Sequence, residues 1–361
     1  MRNVFLEKAT RVAKRKADAL VGRLRPLQPV LDAMAARPYE LHYELTNLCN
    51  ANCIFCPYQF QTRKIDYMPE DIFGKALADY RAEGGGSVFF TPVVGDALIH
   101  PKFLERVRRV REAPEVDRIH VTTNAILVDR YGADAIIRSG LTGITISTAG
   151  FDAEMYERVY RSKQYKRMRA NVLALLKANR EAGDPVNMVI GLRADRPLKD
   201  VMADPDFQEI LAYKPQLDFT WSFTTAGGRI KREALPAQMR LRSLTPKREP
   251  CVQTFNGPLV LPDGTVLGCN CVAAMDGEKD LAIGNVMETP LGELWRSEKM
   301  RAFRASFGTE HLNETCKKCD MYRDLELYRT SEGRTRAQMS RERAKGRVVK
   351  REQGRGAWIG G

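Results

Sequence analysis

The sequence predicts an α/β protein: six β–α units forming a parallel sheet over the first two thirds of the chain, then a small α+β module. Three observations predict it. Between residues 38 and 226, short runs rich in β-branched and aromatic residues alternate with longer amphipathic stretches. Strands separated by helices pair in parallel, because a parallel neighbour requires a long crossover. After residue 250 the rhythm shortens, and Pro262-Asp263-Gly264 marks a hairpin turn. Finally, all eight cysteines fall in tight groups, at 49, 53, 56, then 251, 269, 271, then 316, 319.

Residues 1–31 read as one amphipathic helix, with Phe5, Ala9, Val12, Ala13, Ala17, Leu20, Val21 and Leu24 near helical spacing. Lys8, Arg11, Lys14, Arg15 and Arg23 interleave with that stripe. The helix either packs on the body, stays solvated, or lies on an anionic lipid surface. Pro38 opens the alternation. Strands are expected at 41–46, 88–91, 119–122, 143–147, 186–192 and 217–223. Helices are expected at 70–83, 102–112 and 130–139, with further helical segments through Glu181. The hairpin joins 258–261 to 265–268, and a helix at 291–307 leads to Cys316-Lys317-Lys318-Cys319. The resulting division is 1–37, a basic helical extension; 38–226, the sheet domain; 227–250, a Gly/Arg/Pro-rich linker; 251–328, the second module; 329–361, a basic tail.

With 361 residues and 43% hydrophobic content, the chain can bury a core of barrel size plus an accessory module. No apolar run approaches the roughly 20 residues that span a bilayer. The formal charge of +13 is uneven. Residues 1–37 carry nine Lys/Arg against three Asp/Glu, residues 329–361 carry ten against three, and the middle carries 39 of each. A nucleic-acid groove is therefore disfavoured, since the body is neutral. Cysteines grouped like ligands fit metal binding in a reducing cytoplasm better than disulfides.

Cys49-x3-Cys53-x2-Cys56 packs three thiols into eight residues, one ligand short of a closed four-coordinate set. A zinc knuckle is the plain alternative, but the paired spacing and a nearby fourth ligand are missing. With Phe55 just before the third cysteine, the motif closely resembles the radical S-adenosylmethionine (SAM) superfamily. The resemblance implies an open (β/α)6 barrel with chemistry at the carboxyl ends of the strands. It implies a [4Fe–4S] cluster on Cys49, Cys53 and Cys56 whose free iron chelates SAM, and reductive cleavage to a 5′-deoxyadenosyl radical.

In that family a Gly-Gly-Glu motif after strand two contacts the methionine ammonium. Here the matching segment runs Val93-Val94-Gly95-Asp96-Ala97-Leu98-Ile99-His100-Pro101, with Val94 for a glycine and Asp96 for the glutamate. The resemblance assigns Asp96, with Gly95 and Val94, to SAM; alternatively Asp96 is an N-terminal residue of the helix expected at 102–112. Asn124 in Thr122-Thr123-Asn124-Ala125 contacts cofactor or substrate, or shapes its turn. Ser147 is a SAM contact by resemblance. Arg193, ahead of Arg158 and Arg161, is the preferred partner for the SAM carboxylate. Phe55 is expected near the adenine, or in ordinary core.

Cys251, Gly264, Cys269 and Cys316-x2-Cys319, with Ile283-Gly284-Asn285-Val286 and Leu294-Trp295, resemble the C-terminal SPASM/twitch extension of radical SAM enzymes. No cysteine follows Cys319, so the shorter twitch form, with one auxiliary [4Fe–4S] cluster on Cys251, Cys269, Cys316 and Cys319, fits best; structural zinc is the alternative. Cys271 is left over: inert, a substitute ligand, or a hydrogen-atom donor.

Two reactions follow from the resemblance, oxidation of an alcohol carbon (dehydrogenase) or its inversion (epimerase), on a sugar or aminocyclitol. Peptide maturation by a SPASM enzyme is the alternative, and a non-enzymatic iron–sulfur protein a remote one. An electron donor such as flavodoxin or ferredoxin is implied. Tyr58, Gln59 and Trp221 are candidates only by their position near strand ends.

Overall fold

The computed structural model describes residues 2–91, 93–270 and 278–349. Six strands, β1 (Glu40–Tyr43), β2 (Gly86–Phe90), β3 (Val116–Thr123), β4 (Gly143–Thr148), β5 (Asn187–Leu192) and β6 (Gln216–Phe219), pair in parallel in chain order. β1 and β6 do not pair with each other, so the sheet stays open. Sequential order with right-handed crossovers puts every connecting helix on one face. That face is apolar: Leu41, Tyr43, Val88, Phe90, Ile119, Val121, Ile144, Ile146, Ile190 and Leu192 form one core with the helices. Strand alternation turns the neighbouring residues to the helix-free face.

That inner face carries imidazoles and hydroxyls linked in part through a phenyl ring. His42 stacks on Phe89 at 4.7 Å, Phe89 meets His120 at 5.9 Å, and His120 Nε2 lies 3.1 Å from Thr145 Oγ1. Burial, then the nearby charge of Arg118, lowers the His120 imidazole to about 3, so it is neutral.

The expected sixth strand ends early. Ser222–Phe223 (β7) leaves the sheet and pairs with Arg240–Leu241 (β8), inside the segment read as linker. The second module is also continuous with the first. Its hairpin, β9 (Leu259–Val260) and β10 (Thr265–Leu267), adds β9 in parallel to β1, and β11 (Ala282–Asn285) pairs with β10. The helix expected at 291–307 is two, Leu291–Arg296 and Glu298–Ala305, because Ser297 caps the second by accepting from Met300 N at 3.1 Å.

The chain ends depart most from expectation. The N-terminal stripe makes two helices, α1 (Arg2–Gly22) and α2 (Gln28–Ala35), because Pro26 has no N–H and disfavours helix at Arg25. Ser331–Ala344, expected within a basic tail, is a helix across the amino ends of the strands. Arg336 Nη1 donates to Glu40 Oε1 at 3.0 Å, and Arg343 Nη2 to Asp117 Oδ2 at 2.8 Å. Two of its cations thus hold carboxylates on β1 and β3. No helix among the described residues is long and apolar enough to cross a membrane.

Candidate active site

The loop after β1 carries Cys49, Cys53 and Cys56, all free thiols. Its shape is fixed by side chains on either side. Thr46 Oγ1 donates to the Asp66 carbonyl at 2.7 Å, and Asn47 spans the loop, donating to Lys64 O and accepting from Asp66 N, both at 2.9 Å. Ile54 N donates to Val159 O at 3.0 Å. Gln59 Nε2 donates to Ile54 O and Cys56 O at 3.1 Å each, and Tyr58 OH lies 3.4 Å from Cys49 O. Tyr58 and Gln59 therefore brace this loop.

Burial pushes the Cys49 thiol up to about 12, with the Asp96 charge adding to it. Cys53 and Cys56 are also raised by burial, against a downward pull from Arg193. Three crowded thiols, one buried and two half-buried, gain little as free groups, whereas a metal replaces the proton outright. The amide of Asn50, buried beside them, has a donor Nδ2 without a partner. This arrangement fits an iron–sulfur centre held by three thiolates.

Behind the loop, Asp96 sits at the end of the β2 turn. Its Oδ1 accepts from Leu98 N at 3.0 Å, its Oδ2 from Asn124 N at 2.8 Å, and Thr123 Oγ1 reaches both oxygens. The carboxylate thus caps the single turn Ala97–Ile99, rather than the helix Phe103–Arg111, and holds the β3 loop. Gly95 has φ +105°, and a Cβ there would meet Thr46 O at 2.5 Å, so the turn requires glycine. Val94 donates its N–H to Glu44 Oε2 at 3.1 Å. Glu44, unmarked in the sequence reading, is buried and paired with Arg63 at 2.6 Å.

Val93 and Val94 also explain the departure from the glycine pattern. They pack in one apolar cluster with Cys251, Cys269 and Cys316, bordered by Tyr58, Phe60 and Cys319. A side chain at 94 thus belongs to the apolar cluster around the second cysteine site. There Cys251, Cys269, Cys316 and Cys319 line a single cavity with Phe303, Phe307, Met321 and Tyr322. Burial raises the Cys251 thiol and lifts Cys316 to about 12. Among the described residues no three His, Cys, Asp or Glu side chains gather closely enough for a single metal ion. A cluster giving each thiolate its own iron spreads its ligands more widely than one ion does, and an enclosed four-thiol cavity suits it.

Family comparison agrees with this geometry. The radical SAM superfamily model matches residues 43–196, and the SPASM iron–sulfur cluster-binding domain matches residues 251–320. The chain carries a radical SAM domain followed by a SPASM domain. Its two domains imply SAM, a radical SAM [4Fe–4S] cluster and auxiliary iron–sulfur binding. GTP 3′,8-cyclase of Chlorobaculum tepidum is 29% identical over 127 residues, 34% of this chain and 37% of that protein. The Pasteurella multocida GTP 3′,8-cyclase is 27% identical over 134 residues, 36% of this chain and 39% of that one. The chain thus spans about two-fifths of the length of these curated relatives. BtrN in complex with AdoMet and 2-DOIA shares the fold at TM-score 0.53 and 17% identity, over 78% of this chain and 92% of BtrN. Streptococcus suis SuiB bound to precursor peptide SuiA does so at 0.56 and 13%, over 82% and 74%.

The other expected SAM contacts of this radical SAM protein sit around the three-cysteine loop. Asn124 Nδ2 donates to Asn50 Oδ1 at 2.7 Å and lies 3.9 Å from Cys49 Sγ. Ser147 Oγ is 2.7 Å from Tyr160 OH, a buried phenol that sequence reasoning missed because nothing in its spacing marks it. Phe55 packs on Phe223 at 4.9 Å and Tyr160 at 5.6 Å. Arg193 Nη1 donates to Gly191 O at 2.9 Å, near enough for its charge to act on Cys53 and Cys56. Arg158 is instead paired with Asp195 at 2.6 Å, while Arg161 reaches Gln59 Oε1 at 3.4 Å. Trp221 stacks with Phe219 at 6.0 Å. Cys271 lies outside the described residues.

Proposed function

We propose that this radical SAM enzyme is an oxidoreductase acting on a C–H bond of a small polyhydroxylated alcohol of the sugar or aminocyclitol class. Cys49, Cys53 and Cys56 are the ligands of its SAM-binding cluster in this reading, and Cys251, Cys269, Cys316 and Cys319 hold one auxiliary cluster. When bound, these groups supply the reductive cleavage of SAM that initiates hydrogen abstraction, and an acceptor for one electron.

The observation that carries the reading is the junction of the inner face with the second cysteine site. Asn270, the residue after Cys269, has its Nδ2 2.7 Å from Nε2 of His42 on β1. A molecule on the inner face would therefore lie between the three-cysteine loop and the four-cysteine cavity. His42, His120 and Thr145, with the hydroxyls of Thr91 and Thr122 in contact at 3.4 Å, offer donors and acceptors suited to a polyol. Ser147, Asn124 and Arg193 orient SAM, Arg193 through its guanidinium toward the carboxylate. Phe55, Tyr160 and Phe223 keep water from the loop. Dehydrogenation is favoured over epimerisation because the second site borders the substrate face.

The test is a dithionite-driven assay of 5′-deoxyadenosine with anaerobically purified protein whose iron and sulfide are counted. Sugars, aminocyclitols, peptides and GTP are compared as substrates. Deoxyadenosine formed together with a ketone from a sugar or cyclitol is expected. Coupling only to a peptide, as SuiB's bound precursor would suggest, or only to GTP, would overturn the substrate assignment.

A further inference from the structure

The two basic ends of the chain meet in the fold. Asp18 Oδ2 on α1 accepts from Ser331 N at 2.9 Å and Ser331 Oγ at 2.7 Å, across 313 positions of sequence. Gly22 O accepts from Arg334 Nη2 at 2.7 Å, and a Cβ on Gly22 would sit 1.6 Å from the Arg329 carbonyl. Ala19 is buried in the same contact. Asp18, Ala19 and Gly22 therefore define the docked face of α1.

At about 100° per residue, Ala13, Ala17, Leu20 and Leu24 form a row on the opposite face, continuing into the turn after Gly22. Leu24 is 88% exposed, Leu20 64%, Val21 beside them 58%, and Val12 49%. Cations rim the row on both edges, Lys16 and Arg23 on one and Lys14 and Arg25 on the other, all exposed. The one acid between residues 12 and 25, Asp18, is on the docked face. The C-terminal segment against which α1 packs, 329–349, adds seven Lys/Arg against two Glu.

An apolar row of this length is seldom left bare on a soluble surface without a partner. A polyanion such as nucleic acid would engage the cations and leave the leucines in water. An apolar row between two cationic edges matches a bilayer interface, where acyl chains receive the leucines and anionic headgroups the lysines and arginines. We propose that the outer face of α1 docks this protein on an anionic lipid bilayer.

The test is co-sedimentation of the full chain, clusters loaded, with phosphatidylcholine vesicles and with equal-part phosphatidylcholine–phosphatidylglycerol vesicles. Binding to the mixed vesicles is expected, with little to phosphatidylcholine alone. L20E/L24E should weaken that binding about tenfold or more, since each leucine removes several buried methylenes from the interface. K14E/K16E should weaken it and reduce its salt dependence. These side chains are exposed, so iron content and circular dichroism should match the parent. Three results would each overturn the proposal: a parent that stays in the supernatant, an L20E/L24E variant that sediments like the parent, or a parent dimer that L20E/L24E makes monomeric and that ignores vesicles. The last would mean that a second copy covers the row.

Discussion

Asp96 Oδ2 accepts the backbone N–H of Asn124 at 2.8 Å, so the turn after β2 holds the loop after β3. Asn124 then passes that constraint to Asn50, beside Cys49, through its side-chain amide. A carboxylate that sequence resemblance aimed at the cofactor reaches the three-cysteine loop through Asn124 and Asn50. Burial raises the Asp96 carboxyl, opposed by the hydrogen bonds from Asn124, Leu98 and Thr123, which favour its charged form.

Asp96→Ala should therefore act on loop geometry. It strands the Leu98 and Asn124 N–H groups and the Thr123 hydroxyl in a buried setting, at a cost of about 1–3 kcal/mol for each group left unmatched. Urea unfolding should show the loss. Asp96→Asn keeps one acceptor oxygen and should recover part of it. If both variants unfold at the parent's midpoint, the anchoring role is wrong.

Substituting cysteines should separate the two sites. Cys49→Ala/Cys53→Ala/Cys56→Ala should remove about half the iron if each cluster holds four irons, and abolish deoxyadenosine formation. Cys269→Ala/Cys316→Ala should remove the other half while SAM cleavage continues. Cys271→Ala should leave iron unchanged unless that thiol is a ligand. Iron quantitation and product chromatography distinguish the three. Deoxyadenosine from the first triple variant would show that the open-iron assignment is misplaced.

Arg336 and Glu40 form a nearly enclosed pair at the amino end of the sheet. Arg336→Ala leaves Glu40 charged, buried and short of a partner, which should cost about 3–5 kcal/mol. Replacing both, by Arg336→Met with Glu40→Gln, should recover much of that loss. A double-mutant cycle in urea measures the coupling; additive single effects would mean that the helix contributes by packing alone.

The parts of this fold written in local periodicity were legible: the strand–helix alternation, the hairpin and the cysteine groups. Parts that depend on distant partners were not. Nothing near Arg336 announces Glu40, 296 residues away, and a run of arginines reads as solvated charge until a buried carboxylate faces it. The break at Pro26 was present in the sequence, yet the apolar stripe continues across it and masked it. At the site, the three-cysteine spacing identified the loop. The roles of Glu44, Tyr160 and Asn270 come from contacts with elements distant in sequence, and single-chain spacing carries no trace of those.

Acid should destabilise the protein in two overlapping windows, of which only the His120 window reaches above pH 4.5. His120, about 3 when folded and 6.5 as a free imidazole, takes up its proton only on unfolding between those values. Its contribution is complete above pH 6.5 and is lost as pH falls toward 3, with a slope of about 1.4 kcal/mol per pH unit inside the window. Burial alone would push the Glu40 carboxyl up, but His42 and Arg336 outweigh it and bring it from 4.5 to about 2. Its contribution is complete above 4.5 and is lost as pH falls through 2, so it leaves the milder range untouched. His120→Gln, which keeps a polar group facing Thr145, should flatten the fall in urea midpoint between pH 6.5 and 5, measured against the parent at each pH. Cluster loss in acid is common to both proteins and cancels in that difference. A variant whose midpoint falls as steeply as the parent's would show that another group binds the proton.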